Sequence, residues 1–331
     1  MKLGDNADDL ILGVDLGGTK ILTAVTNPQG KILSRDHSIT PAQKGHEAVI
    51  QAILESAHRA LGQADVAISN LIVVGVGAPG LLNPEAGILY TSPNLPGWRD
   101  VPLRDAIQEK LGKQTFLIND ANAAALGEFN FGAARGTRNF IYITVSTGIG
   151  GGIVINGKIY SGAIGVAGEV GHMTIDDDGP ICNCGSRGCW ETLASGTALA
   201  REARYRIGEG VKTSILEYAK GDVGKVTAQV VQDAAEGGDS LAKELIGRTG
   251  YYLGVGLANL INIFNPELIV IGGGLSNIGD MLFGPAFKVA GERAYKQAFQ
   301  AVRFTSAELG RNSGVLGAAV FALQEMKKQS S

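Results

Sequence analysis

The chain has 331 residues, which at roughly 150 residues per domain is enough for two domains that each bury a core. With 29 basic and 32 acidic side chains the net charge is −3, so there is no electrostatic footprint for nucleic acid or an anionic membrane, and small-molecule partners are expected. No run approaches the ~20 apolar residues that span a bilayer, residues 1–9 carry three aspartates and no apolar stretch, and the three cysteines fall within eight residues; a cytoplasmic chain without a disulfide framework is expected.

In chain order, residues 10–14 and 21–25 are apolar, β-branched runs joined by Asp15-Leu16-Gly17-Gly18-Thr19-Lys20, with a third strand expected around 31–34 after the Pro28-Gln29-Gly30 turn. This reads as an antiparallel meander. Apolar residues then recur at helical spacing over 47–61, with Gly62 as a stop, and strands are expected at 71–76 and 115–118 before a helix over about 121–131. The pattern restarts at 140–145 and 152–155, which flank Ser146-Thr147-Gly148-Ile149-Gly150-Gly151, and a short strand is expected at 158–160. Two glycine-turn hairpins thus lie about 131 residues apart, an internal repeat in which each half supplies one phosphate-facing loop and the ligand sits between them. Beyond the cysteines the chain reads as mostly helical: a long helix over 239–263 ends at Asn265-Pro266, strand 268–271 runs into Gly272-Gly273-Gly274, and an amphipathic helix over 315–326 packs back on the first half.

Consecutive glycines let backbone N–H groups face anionic oxygens without Cβ interference, and a threonine hydroxyl adds a donor. Residues 15–20 have that chemistry, with Asp15 able to hold a hydrated Mg²⁺. A ligand-free hairpin turn is the alternative, weakened by the second loop at 147–152. Gly75-Val76-Gly77-Ala78-Pro79-Gly80 matches a dinucleotide fingerprint, but Leu81-Leu82-Asn83-Pro84 does not open the helix that fingerprint requires, and no GxxxxGK[ST] occurs.

Cys182, Cys184 and Cys189, with His172 upstream, supply three thiolates and an imidazole, the ligand set of a closed tetrahedral zinc site that organises a loop and activates no water. Such a loop would present Glu169, Glu191 and the second ring nitrogen of His172 to a polyol, unless the two carboxylates are simply solvated surface. Asn119-Asp120 ends a buried strand where a helix begins, so Asp120 is either a general base at a cleft edge or a helix N-cap. The loop Pro93-Asn94-Leu95-Pro96-Gly97-Trp98 offers an amide and an indole to a sugar, or is a structural turn.

Together these motifs resemble the ROK (repressor, open reading frame, kinase) family: Asp15 to Lys20, Asn119-Asp120-Ala121-Asn122-Ala123-Ala124, Thr147 to Gly152, Gly168-Glu169-Val170-Gly171-His172, and the run from Cys182 to Glu191. The resemblance implies an α/β, duplicated actin/hexokinase-like (ribonuclease H-like) ATPase fold with two domains around a central cleft. The first would be residues 1–120 plus about 313–331, and the second 121–312 with the zinc-binding loop. It further implies ATP with Mg²⁺ as phosphoryl donor and a hexose 6-hydroxyl as acceptor. On matching positions, Asp120 is similar to the family's general base, and Asn94, Asn119, Asp120, Glu169, His172 and Glu191 to its sugar contacts. Asp15, Gly17, Gly18, Thr19, Lys20, Thr147 and Gly148 would face phosphate and Mg²⁺, with Gly273 and Gly274 on the adenosine side. His172 would serve both sugar and zinc. Glucose is the expected acceptor, with N-acetylmannosamine or another hexose as the alternative, polyphosphate as an alternative donor, and a homodimer as the family expectation. A non-catalytic sugar-sensing regulator is the reading from another class; the nine residues ahead of the first strand are too few for the DNA-binding domain of the family's repressors.

Overall fold

The computed structural model describes residues 9–329. Residues 1–8 and 330–331, which the expected first domain includes, lie outside the described residues. The first apolar runs form β1 (Leu10–Leu16), β2 (Lys20–Thr26) and β3 (Ile32–Ile39), the expected meander, followed by α1 (His46–Gln63). Then come β4 (Leu71–Ala78), a hairpin of β5 (Leu81–Asn83) and β6 (Ile88–Thr91), α2 (Leu103–Leu111), β7 (Thr115–Asn119) and α3 (Asp120–Phe131). Leu81 to Asn83 is a strand and not a helix, in keeping with the rejected dinucleotide fingerprint.

The restart is β8 (Phe140–Val145), β9 (Ile149–Ile155) and β10 (Lys158–Ile159). Helices α4 (Trp190–Ala194), α5 (Gly196–Gly208), α6 (Ile215–Tyr218), α7 (Ala228–Glu236) and α8 (Ser240–Phe264) follow the cysteine-rich loop. The chain continues through β11 (Leu268–Gly272), α9 (Asp280–Arg293), α10 (Lys296–Ala301), β12 (Arg303–Ser306) and α11 (Ser313–Gln329).

Both five-stranded sheets have one topology. The first is ordered β3-β2-β1-β4-β7 and the second β10-β9-β8-β11-β12. In the first, β1, β2 and β3 run antiparallel while β4 and β7 run parallel to β1; in the second, β10 is antiparallel to β9, and β11 is parallel to β8 and β12. The duplication inferred from the paired glycine loops is therefore carried by the whole strand order.

The chain divides into two compact units. The first holds Gly152–Gly168 and, among the described residues, everything up to Arg138 and from Ala307 onward. Its core lies between α1, α2 and one face of the first sheet, where Leu12, Val14, Ile53, Leu61, Val74 and Leu117 are buried. On the other face α11 lies nearly in backbone contact with the strands, because β1 and β4 carry glycines where it crosses. A Cβ on Gly13 would sit 2.3 Å from the Val315 carbonyl oxygen, and one on Gly75 2.0 Å from that of Ala318. Helix α3 packs on α11 by the same device, through Gly127 and Gly317.

The second unit comprises Asn139–Gly151 and Glu169–Ser306. Its strand β11 is wholly buried, and α8 meets α9 across Gly250 and Gly254. Helix α8 ends where Asn265 takes a left-handed φ of 42° just before Pro266, a backbone geometry that asparagine tolerates. Among the described residues no helix is long and apolar enough to cross a membrane.

Candidate active site

In the first unit, the β1–β2 hairpin is drawn tight by a bond from the Gly17 N–H to the Lys20 carbonyl (2.9 Å). Thr40 then occupies two of the loop's acceptors: its hydroxyl donates to the Gly17 carbonyl (2.7 Å) and its N–H to that of Thr19 (2.9 Å). The N–H groups of Gly18 and Thr19 meet no acceptor among the described residues, and Thr19 and Lys20 are exposed. Two successive unpaired amides form an anion-binding concavity. Gly18 also admits the segment carrying Asn94, since a Cβ there would come within 2.7 Å of the Asn94 Cβ.

Asp15, at the end of β1, keeps part of its surface open, and the start of α11 crowds it: a Cβ on Gly314 would lie 2.7 Å from Asp15 Oδ2. Burial, with the Asp120 carboxylate as a second cause, raises the Asp15 pKa to about 7. A carboxylate whose proton affinity is raised by burial and by a second carboxylate nearby suits a divalent cation, and hard oxygen donors of this kind fit Mg²⁺.

At the β7–α3 junction the cap is Asn119. Its backbone is extended, and its Oδ1 accepts from the N–H groups of Ala121 (3.0 Å) and Asn122 (3.1 Å). Its Nδ2 donates to the Gly80 carbonyl at 3.4 Å. Asp120 is consequently the first residue of the helix and not its N-cap. One oxygen accepts from Ala121 N–H (2.8 Å), and the Asn119 side chain lies close enough to add a weaker hydrogen bond. Burial raises the Asp120 pKa to about 6 against the opposing pull of its hydrogen bonds.

Trp98 departs from the sugar-contact reading. It is 3% exposed and packs in the core with Leu95, Val101 and Leu103, so its indole is a structural anchor for that loop, whereas Asn94 on the same loop is exposed.

The second unit repeats the loop chemistry. Ser146 N–H bonds the Gly148 carbonyl (2.9 Å), the Ser146 carbonyl accepts from Gly196 N–H (2.7 Å), and the Thr147 and Gly148 amides meet no acceptor among the described residues. Gly273, at φ +92°, lies against the end of β8, where a Cβ would be 2.3 Å from the Val145 carbonyl. Thr147 and Gly274 line one cavity of about 400 Å³ together with Thr197, Arg204, Gln232 and Asn277. The last four lie outside every motif. Their only sequence signal is position on or beside helices following the cysteine-rich loop, and that does not single them out.

His172, Cys182, Cys184 and Cys189 place one donor atom each within 4.8 Å of one another. Cys182 Sγ is 3.5 Å from His172 Nδ1 and Cys184 Sγ is 3.6 Å from Cys189 Sγ. A tetrahedron with Zn–S bonds of about 2.3 Å has edges of about 3.8 Å, so the four residues fit zinc. Burial and the crowding of the other two thiols push Cys189 up to about 12, a repulsion that a bound cation relieves. His172 Nε2 faces away from the thiols, 3.9 Å from Glu169 Oε2. Glu191, two residues past the last cysteine, is half-buried, and its Oε2 accepts the Ile149 N–H at 3.0 Å.

Each unit thus holds one pair of successive unpaired amides in a glycine loop. The sequence matches the ROK family over residues 11–325. The chain belongs to the ROK family. It is 40% identical to a glucokinase of Halalkalibacterium halodurans over 96% of each chain. It is 38% identical to a glucokinase of Thermotoga maritima over 93% of this chain and 96% of that one. Among solved structures it resembles a ROK family glucokinase from Streptomyces griseus in complex with glucose and AMPPNP, with a TM-score of 0.84 and 36% identity, covering 95% of this chain and 99% of the other. This ROK family member has the α/β, actin/hexokinase-like two-domain fold.

Proposed function

We propose that this ROK family member transfers the γ-phosphoryl group of ATP to the 6-hydroxyl of glucose. The observation that carries the reading is Asp120. Its helix is already capped by Asn119, the one close hydrogen bond to its carboxylate comes from the neighbouring Ala121 N–H, and its raised pKa lies near neutrality, where a general base works best. The glucokinase relatives and the likeness to a glucose and AMPPNP complex support the substrate pair.

Asp120 takes the 6-hydroxyl proton as that oxygen bonds to phosphorus and the bridging bond to ADP breaks. Phosphoryl transfer asks the protein mainly for positioning and charge stabilisation. The amides of Gly18, Thr19, Thr147 and Gly148 and the Thr19 hydroxyl meet phosphate oxygens, with Gly17 shaping the first loop and Lys20 beside it as a cation. Gly273 and Gly274 flank the adenosine. Mg²⁺, held by Asp15, would neutralise phosphate charge. Asn94, Asn119, Glu169, His172 and Glu191 contact sugar hydroxyls. A structural zinc on His172, Cys182, Cys184 and Cys189 fixes the loop that presents the last three. A cytoplasmic homodimer is part of the same family-based reading.

The test is kcat/KM for glucose, mannose, fructose and N-acetylmannosamine at one ATP concentration. Glucose is expected to be the best acceptor. A higher value for the N-acetylated sugar would reassign the substrate within the same reaction class, and no phosphorylation of any sugar would reject the reading.

A further inference from the structure

Glu191 uses its two oxygens differently. Oε2 accepts the Ile149 N–H and lies so close over the preceding residue that a Cβ on Gly148 would be 2.0 Å away. Oε1 has no partner among the described residues. The carboxylate therefore braces the peptide next to the two free amides of the second phosphate loop, while half of it is open to a ligand.

Its own position is rigid. Trp190, the preceding residue, is fully buried, its N–H bonds the Met173 carbonyl (2.8 Å), and its indole N–H bonds the Tyr252 carbonyl (2.9 Å). The zinc-ligand loop braces Ile149 from a second direction, because Gly171, next to His172, lets the Ile149 carbonyl approach to 2.0 Å of where a Cβ would stand.

We infer that Glu191 is a positioning residue that couples sugar occupancy to the nucleotide loop: a sugar hydroxyl donating to Oε1 pins the carboxylate, and Oε2 then holds the Thr147 and Gly148 amides in their phosphate-facing geometry. The inference rests on the glucose and ATP reading above. Coupling between two sites is reciprocal, so bound glucose must tighten nucleotide, and it does so through this side chain.

The measurement is calorimetric Kd of a non-hydrolysable ATP analogue with Mg²⁺, with and without saturating glucose, on the full zinc-containing chain. In the native sequence glucose is expected to tighten the analogue about fivefold or more, the lower end of ordinary coupling. Glu191→Ala should bring that factor to about one, whatever it does to glucose affinity. Glu191→Gln, whose amide oxygen still accepts the Ile149 N–H, should keep a factor of about two, and it carries the test if the alanine variant does not fold. A side chain with a merely structural role would change affinity equally with and without glucose, leaving the factor at its native value; that result in either variant overturns the inference. So does a native chain that phosphorylates glucose with no effect of glucose on nucleotide affinity. A native chain that does not phosphorylate glucose rejects the underlying reading instead.

Discussion

At the scale of single residues, the carboxamide of Asn119 and the carboxylate of Asp120 have separable jobs. Capping falls to Asn119, so Asp120→Asn leaves the helix start intact and removes only the proton acceptor. Loss of a general base costs about 10²- to 10⁴-fold, which should appear in kcat far more than in the KM for sugar. In the native chain kcat/KM should fall as pH drops through about 6, where Asp120 gains its proton. Stability runs the other way. A carboxyl whose folded pKa is raised binds protons more tightly in the native state, so its ionised form opposes folding above about 6 and this burden disappears as pH falls towards the unfolded value of 3.8. The asparagine variant should therefore melt higher than the native chain at neutral pH, by the equivalent of about 1–3 kcal/mol, and show no such gain near pH 4. Retention of more than about a tenth of native kcat would reject the base assignment. The sequence places this pair correctly at a strand-to-helix junction. It leaves open which residue caps, because Asn and Asp cap about equally well and only the backbone decides. Trp98 is the opposite case: an indole in a Pro-Gly loop looks like a ligand platform in sequence, and burial, which a sequence does not display, makes it core.

Among elements, the long periodic ones are legible and the short ones are not. The meander, α1, α8, β11 and α11 each repeat their apolar pattern over enough residues to be read. The β5–β6 hairpin has strands of three and four residues around Asn83-Pro84, too brief for a period, and α2 follows directly on a loop rich in Pro and Gly. The cavity beside Thr147 is hidden for a related reason, since Thr197 and Gln232 come together only when α5 and α7 fold. The cysteine-rich loop, by contrast, is declared by spacing alone, and its predicted behaviour follows from its lack of regular structure. Between β10 and α4 the described backbone holds one short helical turn, Val170–His172, and isolated bridges, so few ladder bonds hold it. Elemental analysis should give one zinc per chain. Chelation should lower the melting temperature and weaken glucose binding, whereas a metal-free preparation with unchanged melting and affinity would exclude a structural metal.

On the scale of the whole molecule, the paired sheets are foreshadowed by two glycine loops, but the role of the small residues in α11 is not. Gly317 reads as a helix weakness in sequence. In the structure it is a contact: a Cβ there would stand 1.6 Å from the Ala123 carbonyl and 2.8 Å from the Gly127 nitrogen, both backbone atoms that cannot swing aside. Gly317→Ala should destabilise the first unit by about 1–3 kcal/mol or more despite its better helix propensity, readable as a lower denaturant midpoint. A neutral or stabilising effect would mean that α3 and α11 separate easily. The same helix has a consequence for biosynthesis. The chain emerges from the ribosome N-terminus first, yet the face of the first sheet carrying Gly13 and Gly75 is covered by residues 313–329, which are made long after the strands they cover. The second unit's main segment, Glu169–Ser306, is complete before then. The half of the protein translated first is thus the half that finishes folding last. Until residues 313–329 emerge its glycine-lined sheet face waits uncovered, which makes the nascent first unit the natural client for a chaperone and docking of α11 the step that closes it.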